Sequence, residues 1–272
     1  MKHRSPLSTF TPFHRAGSGT PLVLLHGITD TWRTWELVLP ALERRHDVLA
    51  LTLPGHAGGP PLPAGADADD AAVDALERAL DDAGLAMAHV AGNSLGGYFA
   101  LRLAERGRAR SVVAFAPAGG WRVGDDSYKE TLAYQTAMHE ALKDAGPHAA
   151  AILAAPDGRR RATRALVERF EHIPDELLAH LLRGAAACEG AQALVQHALR
   201  FGWRLEPARI ACPVRIVWGS VDRLLPWPRA AARYREQWLP HADWVELDGV
   251  GHCPQLDVPL EAAQLILGFT AG

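Results

Sequence analysis

The feature that most limits what this chain can become is a recurring alternation of short apolar runs with amphipathic stretches. Six runs carry it: PLVLLHG (21–27), DVLALTLPG (47–55), MAHVAGN (87–93), SVVAFAP (111–117), PVRIVWG (213–219) and ADWVELDG (242–249). Each ends in a Gly, Pro or polar turn, and the near-continuous apolarity suits parallel strands buried on both faces. Between them, segments such as WRTWELVLPALERR (32–45) and DDAAVDALERALDDAG (69–84) repeat apolar positions at helical spacing. Alternation of this kind predicts an α/β fold, a mostly parallel sheet flanked by helices. A seventh strand is expected within STFTPFHRA (8–16), antiparallel at an edge, where Pro12 is tolerable.

The rhythm breaks between Pro117 and Cys212, a stretch with helix-like segments rich in Ala, Leu and Arg and no convincing strand. Residues 121–205 are therefore expected to form a helical cap, inserted into a core made of residues 1–120 and 206–272. A chain of 272 residues accommodates one such core with its excursion.

Composition narrows the classes further. With 48% hydrophobic residues, 22% charged residues and a net charge of -3, the chain reads as an ordinary globular protein without a nucleic-acid surface. The N-terminal MKHRSPLSTFTPFHR is basic but lacks an apolar stretch of signal-peptide length, and no later run is long enough to span a bilayer. The expectation is a cytoplasmic protein acting on a small molecule, with no membrane partner; its oligomeric state is not legible. Cys188, Cys212 and Cys253 are an odd number at wide spacings, which fits free thiols and neither a disulfide framework nor a CxxC site. Cys253 would be reactive only with a depressed thiol pKa. No HExxH, CxxC pair or phosphate-cradling glycine loop is present, so no metal and no cofactor is expected.

The chemistry-bearing motif is Gly92-Asn93-Ser94-Leu95-Gly96, a GxSxG that follows an apolar strand and precedes the helix-like GYFALRLAERG (97–107). In that context it is a nucleophile elbow: a tight strand-to-helix turn strains the serine and leaves no room for side chains at the flanking positions. A serine hydroxyl needs an imidazole to take its proton, and the imidazole needs a carboxylate to fix its tautomer. Asp222 stands just beyond the strand VRIVWG and His252 just beyond WVELDG, so Ser94, Asp222 and His252 all fall at carboxyl ends of predicted parallel strands. That edge is where open α/β sheets bind ligands. Singly, each is an ordinary turn residue; together, the order Ser, Asp, His at one edge points to a triad.

Other candidates are weaker. Asp125 and Asp126 follow the 111–117 strand at a distance that puts them in the cap entrance. His26 and His56 sit in HG and PGH turns that suit structural hydrogen bonds, and Asp257, before Pro259 and the apolar LEAAQLILGF (260–269), suits a helix N-terminus. The oxyanion of a tetrahedral intermediate needs backbone donors, expected from Leu95 and from Ile28 after the His26-Gly27 turn, with Thr29 as the alternative. Trp121 and Trp203 bracket the cap and could line a substrate pocket or simply pack. Arg159, Arg160, Arg161 and Arg164 suit a solvated helix face, with carboxylate recognition the alternative.

HGITDTWRTW (26–35), LPGHAGG (53–59), GNSLGG (92–97), WGSVDRLLP (218–226) and GHCPQLDVP (251–259) together resemble the α/β-hydrolase superfamily, in its capped esterase and carbon–carbon hydrolase branch. The resemblance runs from about residue 20 to the end, excepting the cap, and implies the same triad and the Ile28 and Leu95 donors. Thr52 and Ala57 depart from the family's usual Asp and Gly around the LPGHG segment. Haloalkane dehalogenases and epoxide hydrolases look similar but use an aspartate nucleophile, against which Ser94 argues. Three functions stay open: a carboxylesterase working through an acyl-enzyme, a carbon–carbon hydrolase acting on a vinylogous diketone, and a ligand-binding protein without turnover. ITDTW after the HG turn departs from the glycine-rich stretch usual in the second, and an intact triad argues against the third.

Overall fold

The computed structural model describes residues 10–63 and 67–271. Seven strands form one sheet: β1 (Phe13–Gly17), β2 (Thr20–Leu25), β3 (His46–Leu51), β4 (Ala88–Asn93), β5 (Ala109–Phe115), β6 (Val214–Gly219) and β7 (Asp243–Leu247). Their order across the sheet is β1-β3-β2-β4-β5-β6-β7. β1 pairs antiparallel with β3 at one edge and the other neighbours are parallel. All six apolar runs thus hold a parallel strand. The edge strand begins one residue after Pro12, where a missing N–H costs no ladder bond; residues 8 and 9 of that expected segment lie outside the described residues.

Successive residues of a strand face opposite ways, and both faces here are apolar. Val23, Leu25, Val90, Val112 and Ile216 belong to one core, whereas Leu22, Leu24, Ala91, Val113 and Val217 belong to the other. The short helix α1 (Leu39–Leu42) covers the second face, while α2 (Ala68–Asp82) and α3 (Leu95–Glu105) cover the first. Asp67 caps α2, its carboxylate accepting the N–H groups of Asp69 and Asp70 at 3.1 Å. The helix expected over 32–45 is instead a 3-10 turn at Trp32–Trp35 and the single turn α1. Pro40 explains the break, because within a longer helix it would have no N–H to give and its ring would strike the preceding turn. Burial survives the break: Trp35, Val38, Leu39 and Leu42 are all in the core.

Between β5 and β6 the chain forms α4 (Ser127–Ala145), α5 (Ala149–Ala154), α6 (Gly158–Thr163), α7 (Asp175–Ala186) and α8 (Ala191–Phe201). These helices share a small core of Leu153, Val167, Ile173, Leu177 and Leu178, which packs on Cys253 and Leu256 in the turns after β7. A second contact sets Leu132, Val195 and Ala198 against Ile28 and Trp203. The inserted helices therefore lie over the carboxyl ends of the strands. The chain closes with α9 (Pro254–Asp257) and α10 (Pro259–Thr270), the latter packed on the second face. Among the described residues no helix is long and apolar enough to cross a membrane.

Candidate active site

β4 ends at Asn93 and α3 begins at Leu95, so one residue must make the whole turn. Ser94 does so at φ 56° and ψ -117°, a conformation costly for any residue with a side chain. Three backbone bonds hold it there: its N–H donates to the Phe115 carbonyl at 2.8 Å, and its carbonyl accepts from Tyr98 and Ala118, each at 3.0 Å. The flanking glycines are sterically required, since a Cβ on Gly92 would sit 2.2 Å from the Gly96 oxygen and one on Gly96 2.3 Å from that of Leu25.

His252 and Asp222 meet from the ends of β7 and β6. Asp222 Oδ2 accepts from His252 Nδ1 at 2.7 Å, while its Oδ1 accepts the N–H groups of Leu224 and Leu225 at 2.8 Å. Those amides fix the carboxylate, and the carboxylate fixes the imidazole as the Nδ1-protonated tautomer with Nε2 free to accept. Among the described residues Nε2 has no hydrogen-bond partner, Ser94 Oγ included. Ser94 and His252 line the same cavity, however, and in ligand-free hydrolases this last bond often tightens only when substrate binds.

The loop after β2 passes directly over the elbow: a Cβ on Gly27 would lie 3.3 Å from Ser94 Cβ. Thr29 takes a left-handed φ of 61° and its hydroxyl donates to the Ile28 carbonyl at 2.7 Å. Leu95, as the first residue of α3, has an N–H with no acceptor inside its helix. His26 is a strut for this loop. Its Nε2 accepts from Leu53 N–H at 2.9 Å and its Nδ1 donates to the Gly27 carbonyl at 2.7 Å, with burial holding its pKa well below the usual imidazole range. Burial likewise lowers His56 to about 4, and its Nδ1 contacts the Pro54 carbonyl at 3.0 Å.

Two cavities meet at the serine. The larger encloses about 1470 Å³ including its open mouth, and Val167, Ile173, Leu178, Leu182 and Leu256 make its walls largely apolar. The smaller, about 570 Å³, reaches Ser94 between Ile28, Leu95, Leu132, Trp121 and Trp203. The arginine run divides. Arg159 pairs with Asp175 and donates to the Ile173 carbonyl at 2.7 Å, and Arg160 lies over the Phe170 ring at 5.5 Å. Arg161 and Arg164 are exposed and line the rim of the larger cavity.

The remaining candidates lie elsewhere. Asp125 is bound through both oxygens to Arg229 at 2.7 Å, which holds its carboxyl far below the usual range, and Asp126 pairs with Lys129. Cys253 is buried, which pushes its thiol pKa well above normal, and it donates to Asn93 Oδ1 at 3.3 Å; this is an inert thiol. Asp257 caps no helix of its own: its carboxylate accepts from Gly251, Arg169 and Glu168 N–H groups at 2.7, 2.8 and 3.1 Å. It thereby ties the histidine loop to the inserted segment.

Sequence reasoning passed over Asn93 and Gln255. Asn93 Nδ2 donates to the carbonyl of His252 at 2.9 Å, and its Oδ1 accepts from Gln255 Nε2 at 3.1 Å. The elbow and the histidine loop are thus joined through a residue that the GxSxG pattern leaves unspecified. Asp67, Asp69 and His197 also converge near α2, but Arg102 and Arg204 already supply the positive charge there.

Comparison with known proteins agrees with the architecture. The chain is 33% identical to epoxide hydrolase EphH of Mycobacterium tuberculosis over 196 residues, spanning 72% of this chain and 92% of that protein. It is 31% identical over 270 residues to the pimeloyl-[acyl-carrier protein] methyl ester esterase of Aromatoleum aromaticum, spanning 92% and 98% of the two. A thermophilic esterase from Thermogutta terrifontis superposes with a TM-score of 0.70 at 21% identity, covering 95% of this chain and 92% of that one. The model of the alpha/beta hydrolase fold family matches residues 20–259, most of the chain, and with the wound sheet and strained elbow already in place, this chain belongs to that family.

Proposed function

We propose that the protein is a serine hydrolase that cleaves a carboxylic ester through an acyl-enzyme, with Ser94, His252 and Asp222 as its triad. The observation that carries this reading is the geometry at the strand ends: a strained Ser94 and His252, the latter bonded to Asp222, line one cavity. His252 Nε2 takes the Ser94 proton as Oγ attacks the ester carbonyl, and Asp222 stabilises the imidazolium that results. The N–H groups of Leu95 and Ile28 receive the oxyanion. Collapse expels the alkoxide, which takes the proton from His252. Water then attacks the acyl-enzyme with His252 again as base, releasing the acid.

In this reading residues 121–205 act as the cap that closes the substrate space, with Trp121 and Trp203 lining its smaller part. The apolar walls favour small or medium uncharged esters. Three unpaired cysteines support a reducing, cytoplasmic setting. The similarity to a protein named as an epoxide hydrolase raises a different chemistry, which the nucleophile argues against. A serine opening an epoxide would form an ether that water does not release, whereas it forms a hydrolysable ester when it attacks an acyl group.

A fluorophosphonate probe is expected to label the wild type and not Ser94→Ala. The same variant should keep the fold, by circular dichroism, and lose about 10⁴-fold in ester turnover. A labelled or active Ser94→Ala protein would sink this assignment.

A further inference from the structure

The triad leaves one half-buried acid of the larger cavity unused. Asp30 lines that cavity together with Gly27, Ile28, Ser94 and His252, two residues beyond the expected oxyanion donor. Its carboxyl accepts from Thr31 N–H at 2.7 Å. Thr34, four residues further on, accepts through Oγ1 from Gln255 Nε2 at 3.3 Å, and Gln255 also donates to Asn93 of the elbow. Among the described residues Asp30 makes no ion pair, in contrast to Asp69 and Asp125.

Among the described residues no titratable group around it forms an ion pair with it. Cys188, from the turn between α7 and α8, and Cys253, from the histidine loop, both feel its charge, and both are thiols whose own ionisation burial suppresses. His139, Glu140, Arg161, Arg164 and His252 line the same cavity. His180 bonds Thr31 Oγ1 at 3.2 Å, and Arg33 is already paired with Glu36 at 2.5 Å. A carboxylate so placed is disfavoured, and its pKa rises to about 7, so a neutral acid with one O–H donor is populated there below that pH.

We propose that Asp30 is a substrate-positioning residue whose neutral carboxyl donates a hydrogen bond to an oxygen near the scissile carbonyl, selecting oxygen-bearing uncharged esters over their hydrocarbon isosteres. This deepens the esterase reading and rests on it. Thr31 N–H occupies one acceptor site on the carboxyl, and the residue lines the cavity that holds Ser94.

The test uses two isosteric pairs that exchange one CH₂ for oxygen. On the acyl side these are 4-nitrophenyl methoxyacetate and 4-nitrophenyl butyrate. On the alcohol side they are 2-methoxyethyl acetate and butyl acetate. The readout is the ratio of kcat/KM within each pair, which cancels the contribution of His252 and of the background rate. In one pair the wild-type ratio is expected to fall by about fivefold or more as pH rises from 6 to 9, because ionisation removes the donor. Asp30→Leu should show the low ratio at every pH. Asp30→Asn keeps an N–H donor and should keep the high ratio without the alkaline fall. A wild-type ratio flat with pH in both pairs overturns the proposal whatever the variants do, and so does an Asp30→Asn ratio as low as that of Asp30→Leu. Should Asp30→Leu fail to fold, the wild-type pH series and Asp30→Asn decide alone. Absence of turnover on all four esters together with absent fluorophosphonate labelling is a different result, which removes the serine-hydrolase reading itself.

Discussion

At the scale of single residues the site depends on side chains that touch no substrate. Asn93 is the clearest. Its amide bridges the carbonyls of Phe115 and His252, and its oxygen accepts from Gln255 and Cys253. Asn93→Ala leaves those buried groups without partners and frees the histidine loop from the elbow. The expected result is a loss of about 2 kcal/mol in urea unfolding and a fall of roughly tenfold to a hundredfold in kcat, larger than any rise in KM. A change in KM alone would show that Asn93 does not position His252. Nothing in the sequence marked Asn93, because its partner His252 lies 159 positions away and the pattern fixes only the residues the turn needs sterically. Ser94 and its glycines were legible for the opposite reason: their constraint is local.

At the scale of elements, the chain between β5 and β6 is joined to the core by a few specific contacts. Asp257 is the most concentrated of them, a buried carboxylate holding three backbone N–H groups, two from the inserted segment and one from the histidine loop. Asp257→Ala is expected to cost about 3 kcal/mol or more by urea denaturation, since three buried donors lose their acceptor. Asp257→Asn, which keeps one acceptor oxygen, should cost less. Equal and small losses would mean water replaces the carboxylate there. The sequence placed this aspartate at a helix start because proline and an apolar helix follow it. Its actual partners come from residues 168 and 169, a long-range pairing that no local pattern encodes. The break in 32–45 was readable in principle from Pro40, but the apolar spacing runs through it unchanged because both short turns bury the same face.

At the scale of the whole molecule, burying neutral histidines makes stability depend on pH. His56, held at about 4 in the folded protein, titrates near the ordinary imidazole value once unfolded. Between those values the unfolded chain binds the proton and the folded chain does not, so stability is full above about 6.5 and falls as pH drops toward 4. Asp30, raised to about 7, works the other way: its folded form binds the proton more readily, and its contribution declines as pH rises from about 4 to 7. Replacing His56 by Phe should therefore shrink the loss of unfolding free energy between pH 7 and pH 5 by about 1 to 2 kcal/mol. An unchanged pH slope in urea titrations would mean His56 is protonated in the folded state. What the sequence determined by itself was the wound sheet, the strand ends and the strained turn, because alternation, breakers and steric need act over a few neighbouring residues. Only the tertiary structure decided which walls enclose the serine, that Asp30 lines its cavity without an ion pair among the described residues, and that Asn93 and Asp257 hold the histidine loop. Those facts depend on which distant segments touch, and burial, not local pattern, sets their chemistry.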